Sequence, residues 1–355
     1  MQLPARIGKY QLVEFLGGGM SHVYRAHDTV LNRTVALKIL TEAGCADSEA
    51  KARFLQEARM AGGIVHDNII NVYDFGEEQN RPYIVMEFLR GESVRDAIKN
   101  NHTGDLKNKL TLAIQLANAL HYIHEKKIIH RDIKPENLHI DAAGKMKLMD
   151  FGIAKSEGLS LTRAGFTLGT PYYMAPEQVL GQQVTHLVDV YAFGVLLFEL
   201  LCGHKPVAGD SVERIFHHIL YEPLNLDPLQ QGNVPKNVQD LVARCTAKTP
   251  AQRPGSLAEV AEELEVVLAE MTGTQRTPTK QFRHTGQRTA RTPTAKVQHH
   301  PKPQQAPPVD QSLPGFLKAL PPVMRTQQGL TVIVAVCVIS GMGLIYFLLS
   351  LVGVV

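Results

Sequence analysis

The sequence predicts an α+β fold of two lobes, a small antiparallel-sheet lobe and then a helical lobe, continued by a linker and one C-terminal transmembrane helix. Three observations predict it. Residues 10–90 alternate short β-branched runs with turns, the apolar residues beyond Gly91 recur at spacings of three and four, and residues 329–355 hold no charge at all. The chain has 355 residues of which 44% are hydrophobic, enough for a sizeable core.

In chain order, YQLVEFL, HVYRAHD, RTVALKIL and RPYIVMEFL read as strands. EAKARFLQEARMAGGI, placed before the last of them, has helical apolar spacing. LTLAIQLANALHYIHEK, LVDVYAFGVLLFELLCG and SLAEVAEELEVVLAEM read as the helices of the second lobe. The lobe boundary falls between Leu89 and Glu92, giving an N-lobe of residues 8–89 and a C-lobe of residues 90–270. The N-terminus MQLPARIGKYQLVEF has no apolar core of signal-peptide length, so the body is expected to stay where it is made. The four cysteines are scattered without CxxC pairing, which argues against a disulfide framework or zinc site and fits a reducing compartment.

Residues 271–329 are rich in Thr, Pro, Gln and Arg and read as a flexible linker. They hold nine Lys or Arg against one acid, Asp310, for a charge of +8, while the whole chain carries +3. The first 270 residues therefore sum to −5, and the basic tail alone suits an anionic surface. A bilayer span takes about 20 apolar residues, and residues 330–352 are read as one. The basic residues preceding it place the N-terminal side in the cytoplasm, so the expected location is the cell membrane, single-pass.

LGGGMSHVY, residues 16–24, supports either a plain turn or a phosphate cradle when taken alone. IIHRDIKPENLHI and KLMDFGIAK add a loop with His130, Arg131, Asp132, Lys134 and Asn137, then Asp150-Phe151-Gly152 beyond a hairpin. A carboxylate to accept a hydroxyl proton, a lysine near a moving phosphate, and an amide with a second carboxylate for Mg²⁺ are the parts phosphoryl transfer uses.

This string resembles the protein kinase family. Val35-Ala36-Leu37-Lys38 matches its VAIK segment, Glu57 stands where its lysine-pairing glutamate would be, and Ala175-Pro176-Glu177 matches the motif closing the activation segment. Asp189 and Arg253 match structural positions of its C-lobe. Lys134 and GTPYYMAPE resemble the serine/threonine class, and GGGMSHVYRAHD, YIVMEFLRGESVRDAI and the membrane-anchored layout look most like bacterial eukaryotic-like serine/threonine kinases. The resemblance, over residues 8–270, implies a two-lobed protein kinase fold and transfer from ATP with Mg²⁺, or Mn²⁺ in its place, to Ser/Thr hydroxyls of protein substrates. Asp132 and Lys134 would be catalytic, with Asn137. Asn137 and Asp150 would hold the metal. Leu16, Gly17, Gly18, Gly19, Met20, Ser21, Val23, Ala36, Lys38 and Glu57 would form the ATP site, with Met86 as gatekeeper and the backbones of Glu87 and Leu89 on adenine. His130 is read as a structural spine residue, and His121 and His124 as surface or packing residues.

In that frame the glycine cluster is the loop over the phosphates, yet it is one residue short: counted back from Val23, the three glycine positions hold Ser21, Gly18 and Leu16. The expectation is weakened ATP binding, improved by a glycine inserted after Gly18. Thr162 and Thr167 are the expected activating phosphosites, with Arg131 available to pair with their phosphates. Two other readings predict different sequences. A pseudokinase scaffold predicts loss of Lys38, Asp132, Asn137 or Asp150, all of which are present, and a small-molecule phosphotransferase predicts no GTPYYMAPE segment.

The remaining expected partners are the bilayer, adaptors that read phosphothreonine, and a second copy of the chain through the membrane helix; nucleic acid is not expected. For the linker two readings stand. One is a passive spacer. The other is an electrostatic switch, in which phosphates of about −1.5 to −2 each on Thr277, Thr279, Thr289, Thr292 and Thr294 cancel its charge and release it from anionic lipid.

Overall fold

The computed structural model describes residues 6–150, 171–206 and 211–273. The first lobe is built on β1 (Arg6–Ile7), β2 (Tyr10–Gly18), β3 (Ser21–Asp28), β4 (Arg33–Leu40), β5 (Val72–Glu78) and β6 (Arg81–Glu87). They form one antiparallel sheet in the order β1-β2-β3-β4-β6-β5. Helices α1 (Glu42–Ala46) and α2 (Ser48–Ala61) lie between β4 and β5 in the chain.

Alternation along β4 sorts this lobe into two cores, because successive strand residues point to opposite faces. Val35, Leu37 and Ile39 join Tyr10, Leu12, Tyr24, Ala26 and Val85 on one face. Leu40 packs with Ile84 against Phe54 and Ala58 of α2 on the other. Lys38 is therefore on the α2 side, and Glu57, one helical step from Phe54 and Ala58, is on the α2 face that meets it. Asp47 caps α2 by accepting from the amides of Glu49 and Ala50, which fixes where the helix starts and so where Glu57 lies.

The sequence reading has no counterpart to β5. This is an edge strand paired only with β6, and VYDFGEE buries none of its residues, so it lacks the apolar alternation that marks a strand facing a core.

The second lobe begins with β7 (Gly91–Ser93), α3 (Val94–Lys99) and α4 (Leu106–Glu125). It continues through β8 (Leu138–Asp141), β9 (Met146–Leu148), α5 (Pro176–Val179), α6 (Leu187–Cys202), α7 (Val212–Tyr221), α8 (Asp227–Gln231), α9 (Lys236–Cys245) and α10 (Leu257–Thr272). β7, β8 and β9 make a small antiparallel sheet. Helix α6 is buried on all sides, as its nearly unbroken apolar sequence demands. It packs so closely on α9 that a Cβ added at Gly194 would lie 2.6 Å from the Cβ of Cys245.

Lys248, just after α9, donates to the His218 carbonyl at 3.0 Å. Burial first, then repulsion from Arg253, push its ammonium down to about 8 from 10.5. Between those values the unfolded chain keeps a proton that the folded chain has released, so this group's contribution to stability rises with pH. Urea titrations from below pH 8 to pH 10.5 will show the wild type gaining stability relative to Lys248→Gln. Parallel curves for the two proteins would contradict the assignment.

Among the described residues no helix is long and apolar enough to cross a membrane, and no group of three or more His, Cys, Asp or Glu could hold a metal ion. The expected span at 330–352, linker residues 274–329, Thr162 and Thr167 all lie outside the described residues, while Met271 and Thr272, expected in the linker, extend α10.

Candidate active site

Three polar clusters converge where the lobes meet. In the first, Lys38 Nζ donates to Glu57 Oε1 at 2.8 Å and to Asp150 Oδ1 at 2.7 Å. Burial disfavours the ammonium, but Asp150 and Glu57 together outweigh it and hold Lys38 above its ordinary value. Lys38 in turn keeps Asp150 below the usual carboxylate range. Glu57 is pushed up to about 7 by burial, with Lys38 opposing and Asp150 adding repulsion. Two carboxyl groups thus share one ammonium, and once the pH rises past the Glu57 value the set carries a surplus negative charge.

The second cluster is the loop before β8. Lys134 Nζ donates to Asp132 Oδ2 at 2.7 Å, and Asn137 Nδ2 donates to the Asp132 carbonyl at 2.8 Å and to Oδ2 at 3.0 Å. With its amide nitrogen committed to Asp132, Asn137 keeps its amide oxygen for a ligand. Buried Asp189 at the start of α6 anchors this loop by accepting from the amides of His130 and Arg131, both at 2.8 Å. Arg131 is left-handed with φ 66, a strained conformation that the two-pronged grip of Asp189 sustains. Asp150, φ 40, is likewise left-handed at the end of its described segment. His130 is fully buried, and burial lowers its pKa so that the ring is neutral at physiological pH.

The third cluster fixes the strand that leads from one lobe into the other. Met86 pairs with Ala36 across β4 and β6. Glu87 Oε2 accepts from Lys147 Nζ and from Asn71 Nδ2, both at 3.0 Å. The side chain of Glu87 is thus tied to the C-lobe through Lys147, and its backbone N–H donates to the Asn71 carbonyl at 2.9 Å, which leaves its carbonyl as the group available to a ligand. Leu89 is the second residue beyond β6.

The glycine cluster closes the β2–β3 hairpin: Gly17 pairs with Val23 and Gly18 with His22, while Gly19 and Met20 make the turn before Ser21. A register shift between Phe15 and Gly17 places Leu16 in a bulge. Gly18 has φ 138, and a Cβ there would lie 2.0 Å from the Ser21 carbonyl oxygen, so only glycine fits.

Sequence reasoning missed the partner of His124. Its ring packs in the interior and meets Asp189 Oδ2 through Nε2 at 2.7 Å. Asp189 is 65 residues away in sequence, so no local signal reports the pair. Lys147 and Asn71 were missed for the same reason.

The protein kinase domain family matches residues 10–264. The chain belongs to the protein kinase family. Among the relatives of this kinase, the serine/threonine-protein kinase PrkC of Bacillus subtilis is 38% identical over 260 residues, which is 73% of this chain and 40% of that protein. The probable serine/threonine-protein kinase SCO3848 of Streptomyces coelicolor is 37% identical over 278 residues, 76% of this chain and 41% of the relative. The serine/threonine-protein kinase PknB of Mycobacterium tuberculosis is 36% identical over 274 residues, 74% and 44% of the two chains. The chain thus spans about two fifths of the length of these relatives.

Proposed function

We propose that this chain is a protein serine/threonine kinase that transfers the terminal phosphoryl group of ATP to serine and threonine hydroxyls of proteins. The observation that carries the reading is the ion-pair set of Lys38 with Glu57 and Asp150, next to an Asp132 held by Lys134 and Asn137. Family membership and the serine/threonine-protein kinase names of the relatives support the acceptor class.

Lys38, fixed by Glu57, would bind the α- and β-phosphates, and the backbones of Glu87 and Leu89 would bind adenine under Ala36 and Met86. The hairpin from Leu16 to Val23 would cover the phosphates. Asp132 would orient the acceptor hydroxyl and take its proton, while Lys134 would balance charge on the transferring group. The Asp150 carboxylate and Asn137 amide oxygen are hard donors of the kind Mg²⁺ or Mn²⁺ accepts, and the surplus negative charge around Lys38 suits a divalent cation. Bound there, the ion would neutralise phosphate charge.

Regulation through Thr162 and Thr167, a single-pass membrane anchor at 330–352 with the kinase domain cytoplasmic, and a basic juxtamembrane linker at 271–329 belong to the same proposal. Phosphothreonine-reading adaptors and a second copy of the chain are the further partners proposed.

Incubation of the purified protein with γ-labelled Mg-ATP, followed by phosphoamino acid analysis, is expected to yield phosphothreonine and phosphoserine. Absence of label, or label on tyrosine alone, would overturn the reading.

A further inference from the structure

The shortened glycine hairpin is seated on the β4–α1 junction by contacts that a strand ladder alone does not supply. The Thr41 amide donates to the Met20 carbonyl at 3.0 Å, which continues the β3–β4 ladder past Ser21 and Leu40. The Thr41 hydroxyl donates to the same oxygen at 2.9 Å, so both lone pairs of the tip carbonyl are used. That hydroxyl also accepts from the Gly44 amide at 3.1 Å as the N-cap of α1, which commits its proton to Met20. Gly44 is buried against the tip, where a Cβ would lie 2.5 Å from the Met20 carbonyl oxygen.

We propose that Thr41 is a positioning residue for the nucleotide: it clamps the Met20 carbonyl and holds the one-residue-short hairpin as a fixed cover, instead of one that nucleotide binding must order. Thr41 acts through the hairpin and need not touch the nucleotide. This rests on the reading of that hairpin as the loop over the phosphates. A loop already fixed in the bound conformation spares the complex the entropy of ordering it. The missing residue is then compensated, since a shorter hairpin brings its tip carbonyl within reach of the residue that follows β4. The clamp reverses the expectation drawn from sequence for a glycine inserted after Gly18. The inserted residue would move the tip off Thr41 and weaken nucleotide binding.

Three full-length variants separate the clamp from the helix cap. Thr41→Asp keeps an acceptor for the Gly44 amide but has no proton for Met20. Thr41→Ser keeps both. Gly44→Ala places a Cβ against the tip carbonyl, and 2.7 Å from the Leu40 side chain, without removing Thr41's own groups. Two measurements are made: amide hydrogen exchange of residues 20–22 without nucleotide, and Mg-ADP affinity by calorimetry. The expected result is faster exchange and affinity about three- to tenfold weaker for Thr41→Asp and Gly44→Ala, the scale of one lost hydrogen bond, with Thr41→Ser near wild type. Wild-type exchange and affinity in Thr41→Asp, or tighter binding after the glycine insertion, would overturn the clamp. The exchange measurement tests the clamp without nucleotide, whereas a wild type that binds no Mg-ADP would sink the nucleotide reading itself.

Discussion

Asp132→Asn will lower phosphoryl transfer by about 10²–10⁴-fold, the range spanned by a positioned general base, while folding and nucleotide affinity stay at wild-type level. The substitution keeps the shape of the side chain and removes its charge. Asp132 is held from within its own loop, by Lys134 at 2.7 Å and Asn137 at 3.0 Å, so the pocket that positions it persists when the carboxylate becomes an amide. The loop backbone is fixed independently through Asp189, which grips the His130 and Arg131 amides and is untouched by the change. Nucleotide contacts are assigned to Lys38, the hairpin and the segment from Met86 to Leu89, none of which involves Asp132. The kinetic signature is therefore a fall in kcat with little movement in the ATP Michaelis constant. Measured turnover within a few-fold of wild type would remove Asp132 from the mechanism, and a coincident loss of nucleotide affinity would show that the substitution disturbed the site at large.

Arg253→Met will destabilise the domain by about 3–5 kcal/mol, the scale for breaking a buried ion pair by removing one partner. The guanidinium is wholly buried, and all its donors are used. Its two terminal nitrogens bond the Glu177 carboxylate at 2.7 and 2.9 Å, and further bonds reach the carbonyls of Leu187, Lys248 and Ala247. The ring of Tyr191 lies 5.0 Å from the guanidinium carbon. Removing the arginine strands a buried carboxylate and three carbonyls, and desolvation without a partner is what makes the loss large. Arg253→Met combined with Glu177→Leu should recover part of the stability, because no charge is then left unpaired. Chemical denaturation of the two variants checks both statements. A single variant as stable as wild type, or a double variant less stable than the single, would contradict this account.

The sequence by itself determined the two-lobed division, strands β2, β3, β4 and β6, helices α2, α4, α6 and α10, and the residue types around the site. It could do so because alternation in β4 and helical spacing in α2 are local patterns, which the backbone geometry of each element writes along the chain. The short motifs HRDIKPEN and DFG carry their chemistry within a few residues, so Asp132, Lys134, Asn137 and Asp150 are legible without coordinates. What escaped is whatever depends on partners distant in the chain or on surfaces that bury nothing. β5 shows no apolar pattern because it lies at the sheet edge. His124 reads as an ordinary helix residue until folding sets it on Asp189, and Glu87 reads as an ordinary strand residue until Lys147 and Asn71 bind it. The shortened hairpin was visible as a missing residue, but only the tertiary structure set its tip carbonyl on Thr41 and beside Gly44. Local periodicity follows from backbone geometry and can be read along the chain. A hydrogen bond between remote residues exists only after packing has chosen which surfaces meet, and that choice is made by the folded core.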